Sequence, residues 1–319
     1  MLRFVIRRTL YGVLVIWVIS VVVFVLFFVA PRNVARKLAG RQADMSAVEA
    51  IREDLGLNRP LLEQYGDFLW GLLQGDLGYS YYSDEPVTDK ILDALPISVS
   101  LAAGAAVIWV VLGVSIGVLS ALRPRTIADR AATTFALFFY SMPTFLLGLL
   151  LLYFLFYQLH LVGIDWFPAA TYVPLTEDVG QWARHLILPW ITLALVLTGT
   201  YIRLTRGSML DALGEDYIRT ARSKGITESR VTVRHALRGG ITPVVTQFGI
   251  DFGTLVGGVL ITEQVFGLQG LGYIAVTSVV QGDLPVVIGV VMVASAFTVV
   301  ASIVVDFSYA VLDPRVRLT

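Results

Sequence analysis

Cysteine is absent from this sequence, histidine occurs only three times, and charged residues make up 15% of the chain. Without cysteine the chain can form neither disulfides nor thiolate metal sites. His160, His185 and His235 are isolated from one another and lack any metal-ligand spacing. The sequence contains no P-loop and no pair of catalytic carboxylates on one helix. We therefore expect no catalytic residues, no metal site and no cofactor bound by this chain, which is not predicted to be an enzyme.

Apolar residues, by contrast, make up 56% of the chain, and the mean hydropathy is +0.75. They form long runs that reach the roughly 20 residues a helix needs to cross a bilayer. Because backbone polar groups in lipid must be satisfied within the segment, each run is expected to be helical. The sequence predicts an all-α polytopic membrane protein with six transmembrane helices, over residues 9–31, 94–122, 131–158, 186–204, 239–262 and 285–312.

The positive charges are unevenly placed, although the formal net charge is zero and gives no indication of nucleic-acid binding. Sixteen Lys and Arg residues lie in the two termini and in regions 123–130 and 203–238, on one side of the predicted membrane. Eight lie on the other side, seven of them in one long loop. Long loops carry little weight in the positive-inside rule, so both termini are predicted to be cytoplasmic.

The long external insertion, residues 32–93, is predicted to contain two helices. The first begins with a capping box at Ser46–Glu49 and ends near Gly56; the second begins at Pro60 and ends at Gly75. The second helix has one apolar stripe, which favours either a cap packed on the membrane helices or a docking surface for an external partner. The stripe consists of Leu61, Leu62, Tyr65, Phe68, Leu69, Leu72 and Leu73. A second external segment, 263–284, is rich in glycine and is expected to be partly re-entrant.

The basic loop 205–238, between the fourth and fifth predicted spans, has the pattern helix, glycine turn, helix. A helix is predicted from Asp211 to Lys224, ended by Gly225, with Tyr217 and Ile218 on an exposed apolar ridge. A second helix begins at Thr227. Binding of Lys and Arg to anionic lipid headgroups is an alternative that explains the charge but not the ridge or the turn.

Asp251 is predicted to lie near the middle of the fifth span, where an ionisable residue is costly and marks either a polar pathway or a hydrogen bond between helices. Glycines recur every four residues beside it and in the second span, a spacing that lets another helix approach closely. These predicted packing glycines are Gly249, Gly253, Gly257, Gly113 and Gly117.

Several motifs together resemble one family. "GEDYIRTARSKG" followed by "RVTVRHALRGGITPVVT" resembles the cytoplasmic EAA loop of ABC-importer permeases in the dipeptide/oligopeptide/nickel family. "LGLNRPLLEQYGDFLWGLLQGDLGYS", "SMPTF", "VFGLQGLG" and "DFSYAVLDPRVR" extend the resemblance over nearly the whole chain, in the form of the B-type subunit with its long first external loop. "APRNVA" at Ala30 to Ala35 departs from the "PGDP" common in that family.

The resemblance implies a subunit in the cell membrane of a prokaryote, paired with a second, C-type permease. Two cytoplasmic ATPase subunits would bind ATP and Mg, and an external solute-binding protein would deliver the substrate. It further implies that residues 216–225 form a coupling helix that contacts an ATPase. The coupling residues would be Asp216, Tyr217, Ile218, Arg219, Thr220, Ala221, Arg222, Lys224 and Gly225.

Short peptides are the expected substrate, because few fixed charges in the spans suit variable side chains. Nickel chelates, glutathione and other small solutes remain alternatives within the same architecture. A membrane receptor that recruits a signalling partner through the basic loop is an alternative of another class, and an intramembrane enzyme is disfavoured by the missing catalytic pairs.

Overall fold

The computed structural model describes residues 2–26, 44–54, 58–169 and 171–312, and these residues are predominantly helical. An isolated bridge between Tyr79 and Pro86 is the one β-type pairing in the described part. In its first half the described chain forms α1 (Leu2–Phe24), α2 (Met45–Asp54), α3 (Leu61–Gln74), α4 (Val87–Leu122), α5 (Ile127–Tyr140) and α6 (Thr144–Leu151), which continues with π geometry over Leu152–Gln158.

The second half begins with a 36-residue helix and contains the basic loop. Its elements are α7 (Val179–Gly214), α8 (Asp216–Ser223), α9 (Glu228–Arg230, π-helical Val231–Ala236 and Leu237–Gly240), α10 (Thr242–Phe266), α11 (Leu271–Gln281) and α12 (Leu284–Leu312).

Among the described residues, five helices are long and apolar enough to cross a membrane. These candidate spans are Ile6–Phe24, Val87–Leu122, Thr144–Leu161, Val179–Gly214 and Leu284–Val304. Val259–Phe266 and Leu271–Gln281 pass the same test together, with a bend of 78° between them. Gly267 has φ +67° at this bend, a backbone conformation that favours glycine. A broken span or a re-entrant segment fits this geometry.

The helices differ in extent from the predicted spans. The predicted third span, 131–158, is interrupted: α5 ends at Tyr140 and α6 starts after Pro143, which has no N–H to continue the helical hydrogen bonds. The second and fourth predicted spans are parts of longer helices, α4 and α7, each with an internal proline. Hydropathy marks the apolar part of a helix, whereas backbone hydrogen bonding continues into its polar ends.

The chain divides into two compact units, and the larger comprises Pro96–Gly272 and Ala301–Thr319. Its core lies among α4, α7 and α10, with Trp109, Tyr201 and Leu186 fully buried. Small residues allow the close approach of its helices. A Cβ on Gly113 would overlap the Tyr201 side chain, and one on Gly117 would lie 2.6 Å from Thr205 Cβ.

The smaller unit comprises Leu2–Leu95 and Tyr273–Val300. Phe68 and Leu72 of α3 pack against Val23, Ile288 and Met292, whereas Leu62 and Leu73 of the predicted stripe are 86% and 80% exposed. Four of the seven stripe residues are half-buried, namely Tyr65, Phe68, Leu69 and Leu72, and Leu61, Leu62 and Leu73 are exposed. α3 is flanked by Pro60 and Gly75, the residues predicted to begin and end it, and Gly75 has φ +75°.

The cap of α2 differs from the prediction. Asp44, rather than Ser46, accepts the hydrogen bond from the backbone N–H of Ala47, at 2.8 Å. The acid one residue before the helix therefore replaces the predicted serine as the capping side chain. Gly56, the predicted end of this helix, lies outside the described residues.

Candidate functional site

The basic loop folds as α8 and α9 in the larger unit, and α8 begins later than predicted. α7 extends to Gly214, and the chain turns at Glu215 with ψ 148° before α8 starts at Asp216. Leu213 therefore belongs to α7, not to the helix predicted from Asp211. α8 is amphipathic, with its apolar residues on one side.

That apolar side is buried, so the predicted exposed ridge of Tyr217 and Ile218 is wrong for Ile218. Ile218 and Ala221 are 0% and 6% exposed, in a cluster formed by Ala121, Met209, Ala212, Val231 and Ala236 from α4, α7 and α9. Tyr217 is 45% exposed. Packing against neighbouring helices removes apolar area from water, and this decides which face of a short amphipathic helix points inward.

The outward face of α8 carries the polar residues of the predicted coupling set. Asp216, Arg219, Thr220 and Lys224 are exposed, and the side chain of Arg219 is 76% accessible. Arg219 lies 3.5 Å from Asp216, an exposed contact that contributes little to stability. This face is therefore available for a partner without any rearrangement of α8.

Arg222 has a different role, because it holds the turn between α8 and α9. Its guanidinium donates to both carboxylate oxygens of Glu228, at 2.6 and 3.1 Å. The hydrogen bonds from Arg222 lower the pKa of the Glu228 carboxyl. Gly225 has φ +74°, and its N–H donates to the carbonyl of Arg222 at 2.9 Å. The predicted glycine turn is thus a left-handed conformation that a side chain would strain.

A buried ion pair between α5 and α7 was not predicted. Asp129, at the start of α5, is 4% exposed and accepts two hydrogen bonds from Arg206 of α7, at 2.6 and 2.9 Å. The Ser120 hydroxyl and the backbone N–H of Arg125 also donate to it. The Arg206 guanidinium, Ser120 and Arg125 lower the pKa of Asp129 well below its usual range. The local signal was the sequence Thr126-x-x-Asp129, in which Thr126 caps α5.

Asp129→Asn is expected to lower the midpoint of thermal unfolding by several degrees at neutral pH, because Arg206 would lose the charge of its buried partner. A lowered folded-state pKa gives stability that is complete above the ordinary carboxyl pKa and is lost only as pH falls through the lowered value. The drop should therefore be the same from about pH 5 to pH 8. Thermal unfolding in detergent would measure it, with exposed Asp211→Asn as the control; a drop that disappears within this pH range would contradict the assignment.

A second buried acid, Glu263, lies at the end of α10. The sequence assigned it to an external loop, but it belongs to the last turn of the helix and is 0% exposed. The Ser98 hydroxyl donates to its carboxylate at 2.5 Å and accepts from the backbone N–H of Leu271 at 2.8 Å. A Cβ at Gly270 would overlap this carboxylate, which explains a glycine at that position. The four residues fix the bend between α10 and α11.

Asp251 lies in the middle of α10 and is half-buried. The side-chain amide of Gln247, one turn earlier, donates to it at 2.9 Å. Asp251 also acts electrostatically on the hydroxyl of Tyr201 in α7. The Trp109 ring of α4 lies 6.2 Å from the rings of both Tyr201 and Phe248. One carboxylate is thus placed among aromatic and amide groups from three helices of the larger unit.

The three predicted packing glycines beside Asp251 all lie on α10. Gly249 is half-buried, whereas the surroundings of Gly253 and Gly257 lie outside the description. Within the described residues, no group of three or more His, Asp or Glu side chains is arranged to hold a metal ion.

Comparison with known proteins identifies the family. Residues 113–318 match the family described as binding-protein-dependent transport system inner membrane component, and residues 1–102 match the N-terminal domain of that description. The chain belongs to this family. The permease is therefore a multi-pass membrane protein of an ABC importer, a transport component and not an enzyme, which in general acts with ATPase and binding-protein partners.

Relatives that match over nearly their full length support the same family assignment. The permease is 36% identical over 314 residues to a "Probable peptide ABC transporter permease protein" of Sinorhizobium fredii, covering 98% of this chain and 99% of that protein. It is 38% identical over 317 residues to a glutathione transport system permease protein of Pectobacterium atrosepticum, covering 99% of each.

A solved structure supports the fold. The permease matches a chain in a crystal structure titled as an amino acid ABC transporter with histidines, with a TM-score of 0.52 and 17% identity. The match covers 70% of the permease and 94% of that chain. At this identity the likeness shows the fold alone.

Proposed function

We propose that this permease forms half of the path by which an ATP-driven importer takes up short peptides. A second, C-type permease would form the other half, and an external solute-binding protein would deliver the peptide. Two cytoplasmic ATPase subunits would bind ATP and Mg. The assembly would lie in the cell membrane of a prokaryote, with six spans and with both termini of this chain in the cytoplasm, as the distribution of Lys and Arg indicates.

The observation that carries the coupling role is the division of α8 into two faces. Ile218 and Ala221 are packed against α7 and α9, while Arg219, Thr220 and Lys224 face away from them. Because the apolar face of α8 is packed against α7 and α9, a partner that displaces α8 through its polar face would also displace those two helices. We propose that the set from Asp216 to Gly225 docks on an ATPase in this way, with Arg222 and Gly225 fixing the turn.

Peptides are the proposed substrate because relatives matched over nearly their whole length are named as peptide permeases. Glutathione is the second candidate, supported by the comparably similar glutathione permeases. Asp251 is proposed to lie on the translocation path, since a half-buried carboxylate in mid-span is costly unless it serves a polar pathway or an interface. Gly249, Gly253 and Gly257 are proposed to let another helix approach α10.

The test is to express the permease with its neighbouring genes, purify it through a tag and reconstitute the assembly in liposomes. We expect a second permease and P-loop ATPases to copurify, and we expect ATP hydrolysis and uptake to be stimulated by the binding protein with a peptide. Alanine di- and tripeptides, glutathione and a nickel chelate would be compared at equal concentration. Purification of the permease alone, or together with a signalling protein, would contradict the proposal. Uptake of glutathione but not of peptides would identify glutathione as the substrate.

A further inference from the structure

Helix α9 carries an arginine at every fourth position, and these residues, Arg230, Arg234 and Arg238, are here called the arginine stripe. Residues at this spacing lie on one side of a helix, and all three arginines are exposed. Among the described residues their side chains form no ion pair and no hydrogen bond. Residues 229–250 contain no aspartate or glutamate that could neutralise them from the same segment.

The arginines of α8 are placed differently. Arg219 lies 3.5 Å from Asp216, and Arg222 is bound to Glu228 by two hydrogen bonds. The basic loop therefore divides into one helix whose arginines have acidic partners within the loop and a second helix whose arginines have none in the described part. A row of unpaired guanidinium groups is complementary to a surface with repeated negative charges.

Two side chains beside the arginine stripe indicate that this surface is lipid. Val233, next to Arg234 on α9, is 62% exposed. Tyr217 is 45% exposed, and its hydroxyl lies against the end of α9, since a Cβ on Gly239 would be 2.6 Å from it. Exposed apolar groups and tyrosine rings beside arginine are typical of the membrane–water interface, where charged ends reach the headgroups.

The position of the arginine stripe in the chain fits this interface. Residues 239–250 carry no charge, and α10 begins at Thr242, four residues after Arg238. At the helical rise, Arg238 and Arg234 precede the start of α10 by about 6 and about 12 Å along the chain. The headgroup layer outside the hydrocarbon core is of similar thickness, at about 5–8 Å on each side. Arginine side chains from this part of α9 therefore reach lipid headgroups.

We propose that the arginine stripe binds the headgroups of anionic phospholipids at the membrane surface next to α10. The guanidinium groups donate charge-assisted hydrogen bonds to lipid phosphates, and Val233 contacts the adjoining acyl chains. Bound lipid would hold α9 while the outward face of α8 stays exposed to an ATPase. The inference goes beyond the proposed function and does not depend on it, because lipid binding requires neither ATP nor a transported solute.

The lack of cysteine in the chain makes a local test practical. Ser229→Cys introduces a single labelling site at an exposed position beside Arg230, and a bimane fluorophore would be attached there. The full-length permease would be placed in phosphatidylcholine nanodiscs that contain nitroxide-labelled phosphatidylglycerol or equally labelled phosphatidylcholine. We expect the quenching to show at least about a tenfold preference for phosphatidylglycerol, because each arginine near an anionic surface contributes about fivefold.

Two double variants with the same change of charge separate lipid binding from ATPase docking. Arg230→Gln with Arg234→Gln should reduce the lipid preference to no more than about twofold and leave the amount of copurified ATPase unchanged. Arg219→Gln with Lys224→Gln on α8 should keep the lipid preference and lower the amount of copurified ATPase.

Equal quenching by the two lipids, or quenching by neither, would overturn the proposal. The same loss of preference in both double variants would also overturn it, because the general charge of the loop would then be responsible. Loss of ATPase from the α9 variant alone would assign the arginine stripe to the ATPase instead of to lipid. If no ATPase copurifies with the wild type, the proposed function fails, whereas the lipid preference is still decided by the quenching.

Discussion

Replacing Arg219 with Glu is expected to reduce ATP-driven uptake by at least about tenfold, because reversing an exposed charge at a docking surface costs binding free energy to the partner. The side chain is 76% accessible and its contact with Asp216 is weak, so the fold of the permease should not depend on it. Uptake into liposomes and the amount of ATPase that copurifies would both fall. The midpoint of thermal unfolding of the permease should be unchanged.

The matched control is Arg123→Glu, an equal change of charge at an exposed position in another loop on the same predicted side of the membrane. We expect nearly normal uptake from it. If Arg219→Glu transports as well as the wild type, the outward face of α8 does not contact the ATPase. If both variants fail equally, the general positive charge of this side, and not α8, is required, as binding to anionic lipid would predict.

Gly117→Ala is expected to destabilise the permease by about 1–3 kcal/mol, the usual cost of overpacking a filled core. The added Cβ would lie 2.6 Å from Thr205 Cβ and 2.9 Å from the carbonyl oxygen of Ile202. Neither atom is the end of a flexible side chain, so α4 and α7 would have to separate. Thermal unfolding in detergent and the yield of inserted protein would report the effect.

Gly207→Ala is the matched control, because Gly207 lies on α7 and, among the described residues, no atom beyond its chain neighbours and its own helix backbone lies within 4 Å of its hypothetical Cβ. There the same change should be neutral or stabilise by up to about 1 kcal/mol, since alanine favours the helix. Equal midpoints for the two variants would contradict the close packing of α4 on α7. A low midpoint for Gly207→Ala alone would place an unseen partner against that side of α7.

The coupling loop illustrates how far the sequence could predict the site. The order helix, glycine turn, helix and the position of Gly225 were predicted, because a turn with positive φ selects glycine locally. The inward side of α8 was not, because an amphipathic pattern identifies an apolar face but not what covers it. Arg222 was assigned to the docking surface, yet its bidentate contact with Glu228 needs the turn to be folded first.

The buried acidic residues also show what could not be predicted from the sequence. Asp251 could be identified from sequence since it interrupts an apolar run, whereas Asp129 and Glu263 stand beside loops and look solvated. Their burial depends on residues distant in sequence, Arg206 and Ser98, brought close by helix packing.

The sequence by itself determined that this protein is a helical membrane protein and that its basic loop has a glycine turn, and it indicated glycines at a spacing that lets helices approach closely. These properties follow from local chemistry: apolar length, backbone hydrogen bonding in lipid and the conformational freedom of glycine. Only the tertiary structure decided where helices end or break, which face of α8 is buried and which polar groups surround Asp251. Those features depend on contacts between residues far apart in the chain, and no local pattern encodes which partners will meet.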